Sequence, residues 1–129
     1  MMESMSSLGT RIAFVGVDDL EIAADFYGGK LGLRLRDESP FALVSEHEGS
    51  MLRITRVDAV SAAPYTVLGW SVDDIRSSVA ELAAMGVGFQ QYDVLEQDAS
   101  GIWTAPNGDQ VAWFHDPFDN NLSLTQFAA

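Results

Sequence analysis

Val17-Asp18-Asp19-Leu20 and Val72-Asp73-Asp74-Ile75 are the same four-residue signal written twice, once in each half of the chain. Each copy follows a short apolar run and opens a stretch with helical periodicity. In the first half, Arg11 to Val17 reads as a strand and Asp18 as the helix N-cap, with Glu21 three residues on. Leu20, Ala23, Ala24, Tyr27 and Leu31 fall on one helical face, and Gly28, Gly29 and Gly32 close the helix. In the second half, Thr66 to Val72 is the strand and Asp73 the cap. Ile75, Val79, Leu82 and Ala83 form the buried stripe, and Gly86 ends the helix.

Outward from the two signals, each half continues in short strands separated by turn residues. The first half has Leu33–Asp37, Phe41–Glu46 and Met51–Val57, with a hairpin tip at His47-Glu48-Gly49-Ser50. The second has Gly88–Leu95, Ile102–Ala105, Gln110–His115 and Leu122–Phe127, with Pro106-Asn107-Gly108-Asp109 and Asp116 to Asn121 as turns. Each half reads as a βαβββ unit, the second with one extra short run after its helix, so the fold class is α+β. The organisation is an N-terminal tail at 1–10 and one domain at 11–127, made of module one (11–57), a linker (58–64) and module two (65–127). A lone unit leaves one sheet face unburied, so the two must associate through that face or wrap it around a ligand.

Composition narrows the function classes. A chain of 129 residues with 47% hydrophobic and 20% charged residues has the size and balance of one globular domain. No apolar run approaches the roughly 20 residues of a membrane helix, and MMESMSSLGT has neither the basic start nor the apolar core of a secretory signal. A cytoplasmic protein without membrane partners is the expectation. The absence of cysteine removes disulfides, thiolate metal sites and a cysteine nucleophile together. Nineteen acidic against seven basic residues give a net charge of −12, which repels phosphate backbones and argues against nucleic acid.

Two passages carry more than pattern: VDDLEIAADFYGGKLGL at 17–33 and WFHDPFDNNLSL at 113–124. With the duplicated βαβββ plan they resemble the vicinal oxygen chelate superfamily, which includes glyoxalase I, extradiol dioxygenases, fosfomycin-resistance enzymes and bleomycin-resistance proteins. The resemblance spans Arg11 to Phe127. It implies a cup-shaped mixed sheet with the helices on the outside, and a homodimer formed by packing or exchanging modules. The superfamily's final turn is usually Asp-Pro-Asp-Gly-Asn. Here Asp116-Pro117 is followed by Phe118-Asp119-Asn120, so Asp119 or Asn120 must take the positive φ that glycine would supply.

Metal-dependent members hold their ion with His, Gln or Glu on the first and last strand of each module. The resemblance places those positions on Ile12, Arg53, Val67 and Ser123. Two aliphatic carbons, a guanidinium and a hydroxyl offer no imidazole or carboxylate, and Arg53 would repel a cation. The two histidines, His47 and His115, lie at turns. No metal site and no cofactor is the expectation, and with it the loss of the superfamily's Lewis-acid chemistry.

Strand alternation assigns what lines the cup instead. Leu52 and Ile54 pack under the helices while Met51, Arg53 and Thr55 face the other way, and Ser123 and Thr125 oppose Leu122 and Leu124. Phe14 lies with Ile12, and Trp113 faces the cup together with Val111 if it pairs with Ser123. The candidate ligand-binding set is Ile12, Phe14, Arg53, Val67, Trp103, Val111, Trp113 and Ser123. Trp103 has two readings, since a two-residue Asn107-Gly108 turn would put Ile102 and Thr104 on the cup face. Arg53 either binds a carboxylate or polarised carbonyl, or snorkels to the rim or an acidic neighbour. Trp103 and Trp113 either stack on ligand or fill core.

Apolar walls with few polar groups suit a small organic molecule. The leading expectation is a metal-free binding protein of the bleomycin-resistance type that sequesters a drug or metabolite without catalysis. A metal-dependent lyase, isomerase or dioxygenase with relocated ligands, and a structural module whose cup mediates self-association, are the alternatives.

Overall fold

The computed structural model describes residues 7–129, so residues 1–6 of the expected tail lie outside the described residues. Module one runs β1 (Ile12–Val17), α1 (Leu20–Ala23) continuing as a π-helical segment (Ala24–Lys30), β2 (Arg36–Ser39), β3 (Ala42–His47) and β4 (Ser50–Arg56). Module two runs β5 (Leu68–Ser71), α2 (Ile75–Ala84), β6 (Trp103–Thr104), β7 (Gln110–His115) and β8 (Asn121–Gln126). The strands form two four-stranded sheets with matching order, β1-β4-β3-β2 and β5-β8-β7-β6. In each, the first and last strand of the module pair in parallel and the rest antiparallel, as a βαβββ unit requires. Among the described residues, no helix is long and apolar enough to cross a membrane.

Both helices are capped one residue later than the repeat suggested, by the second aspartate of each pair. The Asp19 carboxylate accepts from the backbone N–H of Glu21 (2.9 Å) and of Ile22 (3.1 Å). Asp74 accepts from the Ser77 N–H (3.2 Å) and hydroxyl (2.9 Å), which hold its carboxyl below the usual range. Both caps have extended backbone, the geometry that points a short carboxylate over the first turn. The first helix also departs from simple α periodicity, since the Leu31 N–H donates to Phe26 O, five residues back. That wider turn falls on Gly28-Gly29, where there are no side chains to pack. It brings Phe26 into the core alongside the expected Tyr27.

The segment expected as strand Gly88–Leu95 is not one. Phe89 makes an isolated bridge to Phe114, and the chain beyond it is held by the side chain of Gln97. The Gln97 amide donates to the carbonyls of Gln90 (2.9 Å) and Gly101 (2.7 Å) and accepts from the Tyr92 N–H (2.7 Å), taking the place of a neighbouring strand. Gln97→Ala therefore strands three part-buried backbone groups. A loss of about 1–3 kcal/mol is expected by urea denaturation, with Gln97→Glu worse than neutral because the carboxylate cannot donate to the two carbonyls.

The hairpins explain strand register. Glu48 (φ 47°) and Gly49 (φ 80°) form a two-residue turn of type I′ between β3 and β4. Between β6 and β7 the loop has three residues, Pro106-Asn107-Gly108, with Gly108 at φ 95° and Ala105 N–H bonded to Asp109 O (2.7 Å). That extra residue, against a two-residue Asn-Gly turn, puts Trp103 opposite Val111 and turns Ile102 into the core. In the final turn Asp119 takes the positive φ (65°).

One core serves both sheets. Val15, Val17, Leu52 and Ile54 from the first and Ala112, Phe114, Leu122 and Leu124 from the second belong to a single cluster with Ile75 and Val79 of α2. Phe26 reaches Phe114 on β7 (ring centroids 6.4 Å apart), and Leu31 and Leu33 border one hollow with Trp70, Phe114 and Leu124. The helix-covered side of one sheet thus lies over the helix-covered side of the other. A buried polar knot ties the halves: the Tyr27 hydroxyl donates to Asp116 Oδ2 (2.6 Å), and the Asn120 amide donates to Asp116 Oδ2 (2.8 Å) and Gly16 O (2.8 Å).

Candidate functional site

On the first sheet, the side facing away from the core carries Ile12, Phe14 and Gly16 of β1 beside Met51, Arg53 and Thr55 of β4. Phe14 is 60% exposed and Ile12 48%, unusual for large apolar side chains within a strand. Arg53 lies between its cross-strand neighbours Phe14 and Val44. It is half-buried, and among the described residues its guanidinium has no ion pair or hydrogen bond. The acidic partner that could have claimed it, Glu46, is bound to Arg36, which also holds Glu38 at 2.6 Å. Thr55 Oγ1 on the same face is buried and has no hydrogen-bond partner among the described residues.

On the second sheet the corresponding side carries Trp103, Val111, Trp113 and Ser123, aligned by the pairs Trp103↔Val111 and Trp113↔Ser123. The two indoles sit 6.1 Å apart, and Tyr92 meets Trp113 edge-on at 5.6 Å. The aromatic group is half-buried. Tyr92 was missed in the sequence because its segment read as a strand; the Gln97 clasp that directs it leaves no periodic signal. Gly69, paired with Ser123, keeps this surface low, since a Cβ there would lie 2.8 Å from Ser123 Oγ. Val67, 38% exposed, precedes β5 and bonds through its N–H to Asn121 O (2.9 Å).

The eight candidate residues therefore form two groups. Ile12, Phe14 and Arg53 share one surface; Trp103, Val111, Trp113 and Ser123 share another, with Val67 at its edge. Because both sheets back onto the same core, these surfaces point away from each other, and a single chain does not bring the groups together. The histidines stay apart from both sets' chemistry: His47 is 82% exposed, and His115 Nε2 bonds Asn121 Oδ1 (2.7 Å), whose amide donates to Ala63 O and secures the linker.

The sequence profile of the Glyoxalase/Bleomycin resistance protein/Dioxygenase superfamily matches residues 10–124. The chain belongs to this superfamily. Solved structures of similar fold include a glyoxalase family protein of Bacillus anthracis (TM-score 0.74, 16% identity, 99% of this chain and 100% of that one). Lactoylglutathione lyase of Agrobacterium tumefaciens is another (0.70, 18%, 94% and 94%). A third is a superfamily member from Sphaerobacter thermophilus (0.69, 22%, 96% and 100%). At these identities the likeness is one of fold. No curated protein matches the chain in sequence.

Within the glyoxalase superfamily frame, the four positions that the resemblance assigns to a metal do not fit one. Ile12 and Val67 have no donor atom, Arg53 brings a fixed positive charge, and Ser123 offers one neutral hydroxyl. Among the described residues, no three His, Asp or Glu side chains gather where they could share an ion.

Proposed function

We propose that this glyoxalase-superfamily chain binds a small, flat organic molecule bearing a carboxylate or polarised carbonyl, in a cup assembled between two copies. The first sheet of one copy would face the second sheet of the other. The observation that carries this reading is Arg53, an unpaired half-buried guanidinium flanked by the exposed ring of Phe14. A desolvated cation beside apolar surface is stabilised by an anionic partner, and the fork of arginine matches a carboxylate. Trp103, Trp113 and Tyr92 supply aromatic faces for a planar body, and Ser123 a hydroxyl. A second copy is invoked because each group alone is an open surface, whereas ligand sites enclose most of their ligand.

A thermal-shift panel of aromatic carboxylates, their amides and their amines tests this. Carboxylates are expected to raise Tm, by an amount equivalent to about 2.7 kcal/mol at a hundred times Kd, and Arg53→Gln is expected to erase the preference over amides. No stabilisation by any organic member of the panel would remove the binding role. Stoichiometric transition metal in the purified protein, with turnover restored by adding it, would favour the lyase or dioxygenase alternative.

A further inference from the structure

A cavity of about 700 Å³ opens at the end of the molecule where β1 and β4 begin and β3 ends, bounded by the loop after the first helix and by β5. Its floor is Ala13, Leu33, Leu52, Leu68 and Trp70. Leu52, Leu68 and Trp70 are core or core-packed residues of the two helix-covered sheet faces, so this is where those faces part and the shared core is left open. The volume falls in the range of small-molecule sites, and the apolar floor gains from contact with any hydrocarbon body.

The rim has a definite charge. Arg11 and Arg34 both border the cavity, and among the described residues neither makes an ion pair or hydrogen bond. The one rim carboxylate, Glu46, is turned to Arg36 outside the cavity, a partner it shares with Glu38, so the rim keeps two arginines against a single partly compensated carboxylate. In a chain with nineteen acidic and seven basic residues, two unpaired arginines at one opening leave a local excess of positive charge that runs against the molecule's overall field. The buried Ser45 adds a hydroxyl on the wall.

We infer that this cavity is a second ligand site, for an amphipathic monocarboxylate whose hydrocarbon body lies on Trp70 and Leu52 and whose head meets Arg11 and Arg34. It shares Ile12, Met51 and Gly69 with the edges of the proposed cup but none of Phe14, Arg53, Tyr92, Trp103, Trp113 or Ser123, so either site can be occupied without the other.

The protein's three tryptophans give the test. In the full chain, decanoate below its micellar concentration is expected to move the indole N–H resonance of Trp70, assigned by Trp70→Phe, in a saturable way. The Trp103 and Trp113 resonances should stay in place. Decyltrimethylammonium, equal in length and opposite in charge, should bind at least about tenfold more weakly, and Arg11→Gln with Arg34→Gln should erase that difference. The two arginines are exposed, so the double variant keeps its core. Equal binding of the anion and cation, or movement of Trp103 or Trp113 in place of Trp70, would overturn the assignment. So would a Trp70 resonance that shifts with chain concentration and ignores decanoate, since a second copy would then fill the cavity.

Discussion

Asp116→Ala is expected to destabilise the chain by about 3–5 kcal/mol, the largest effect of any single polar substitution proposed for it. Asp116 is 4% exposed and accepts from four donors: the Tyr27 hydroxyl, the Phe118 and Asn120 N–H groups and the Asn120 amide. Alanine leaves all four without that acceptor in a place water does not reach. The loss acts between modules as well as within the turn, because Tyr27 comes from the first helix and Asn120 also holds Gly16 O. Urea denaturation measures the midpoint; a change under about 1 kcal/mol would mean the turn and both modules hold without the knot.

Tyr27→Phe removes one of these bonds and exposes a pH dependence. Burial, with the Asp116 carboxylate next to it, pushes the Tyr27 hydroxyl well above its ordinary value. The folded state therefore keeps a proton that the unfolded chain releases near the ordinary tyrosine value of about 10. The contribution is complete below that pH and fades as pH rises above it, at up to about 1.4 kcal/mol per pH unit. Wild type should lose stability steeply between about pH 10 and 11, and Tyr27→Phe should flatten this part of the profile. A slope unchanged by the substitution would assign the alkaline loss to other groups.

Phe14→Lys carries the second large effect, on assembly. If two copies complete the cup, Phe14 lies in the contact, and lysine replaces a buried ring with a second cation beside Arg53. A dimer dissociation constant at least about a hundredfold higher is expected by analytical ultracentrifugation, with an unchanged circular dichroism spectrum. The fold should persist because Phe14 is outside the core. A variant that sediments as wild type does would show that this sheet face plays no part in association.

Much of the architecture is legible in the chain because it rests on local rules. The repeated Val-Asp-Asp signal marks two helix starts after two strands, and alternation in Met51–Thr55 and Leu122–Thr125 assigns faces that the pairing reproduces. Leu52 and Leu122 are core residues, and Arg53 takes the opposite side. Where local signals are ambiguous, distant groups decide. Either aspartate of a pair is an acceptable cap. Gln97 is chemically an ordinary surface residue until Gln90 and Gly101 lie within its reach. Trp103 takes its face from one loop residue at Pro106-Asn107-Gly108, and Phe26 enters the core through a turn that no 3.6-residue periodicity contains.

The two βαβββ units, the helix-facing side of β4 and β8, and the lack of metal donors at Ile12, Arg53, Val67 and Ser123 can be read from the chain alone. These follow from periodicity and side-chain chemistry, which each residue carries wherever it is placed. That the two units back onto one core, so that Phe14 and Arg53 point away from Trp103 and Trp113, is settled by long-range packing. Strand alternation specifies a face relative to its own sheet and is silent on how two sheets are set against each other. That orientation comes from contacts such as Phe26 with Phe114 and Tyr27 with Asp116, between residues far apart in the chain.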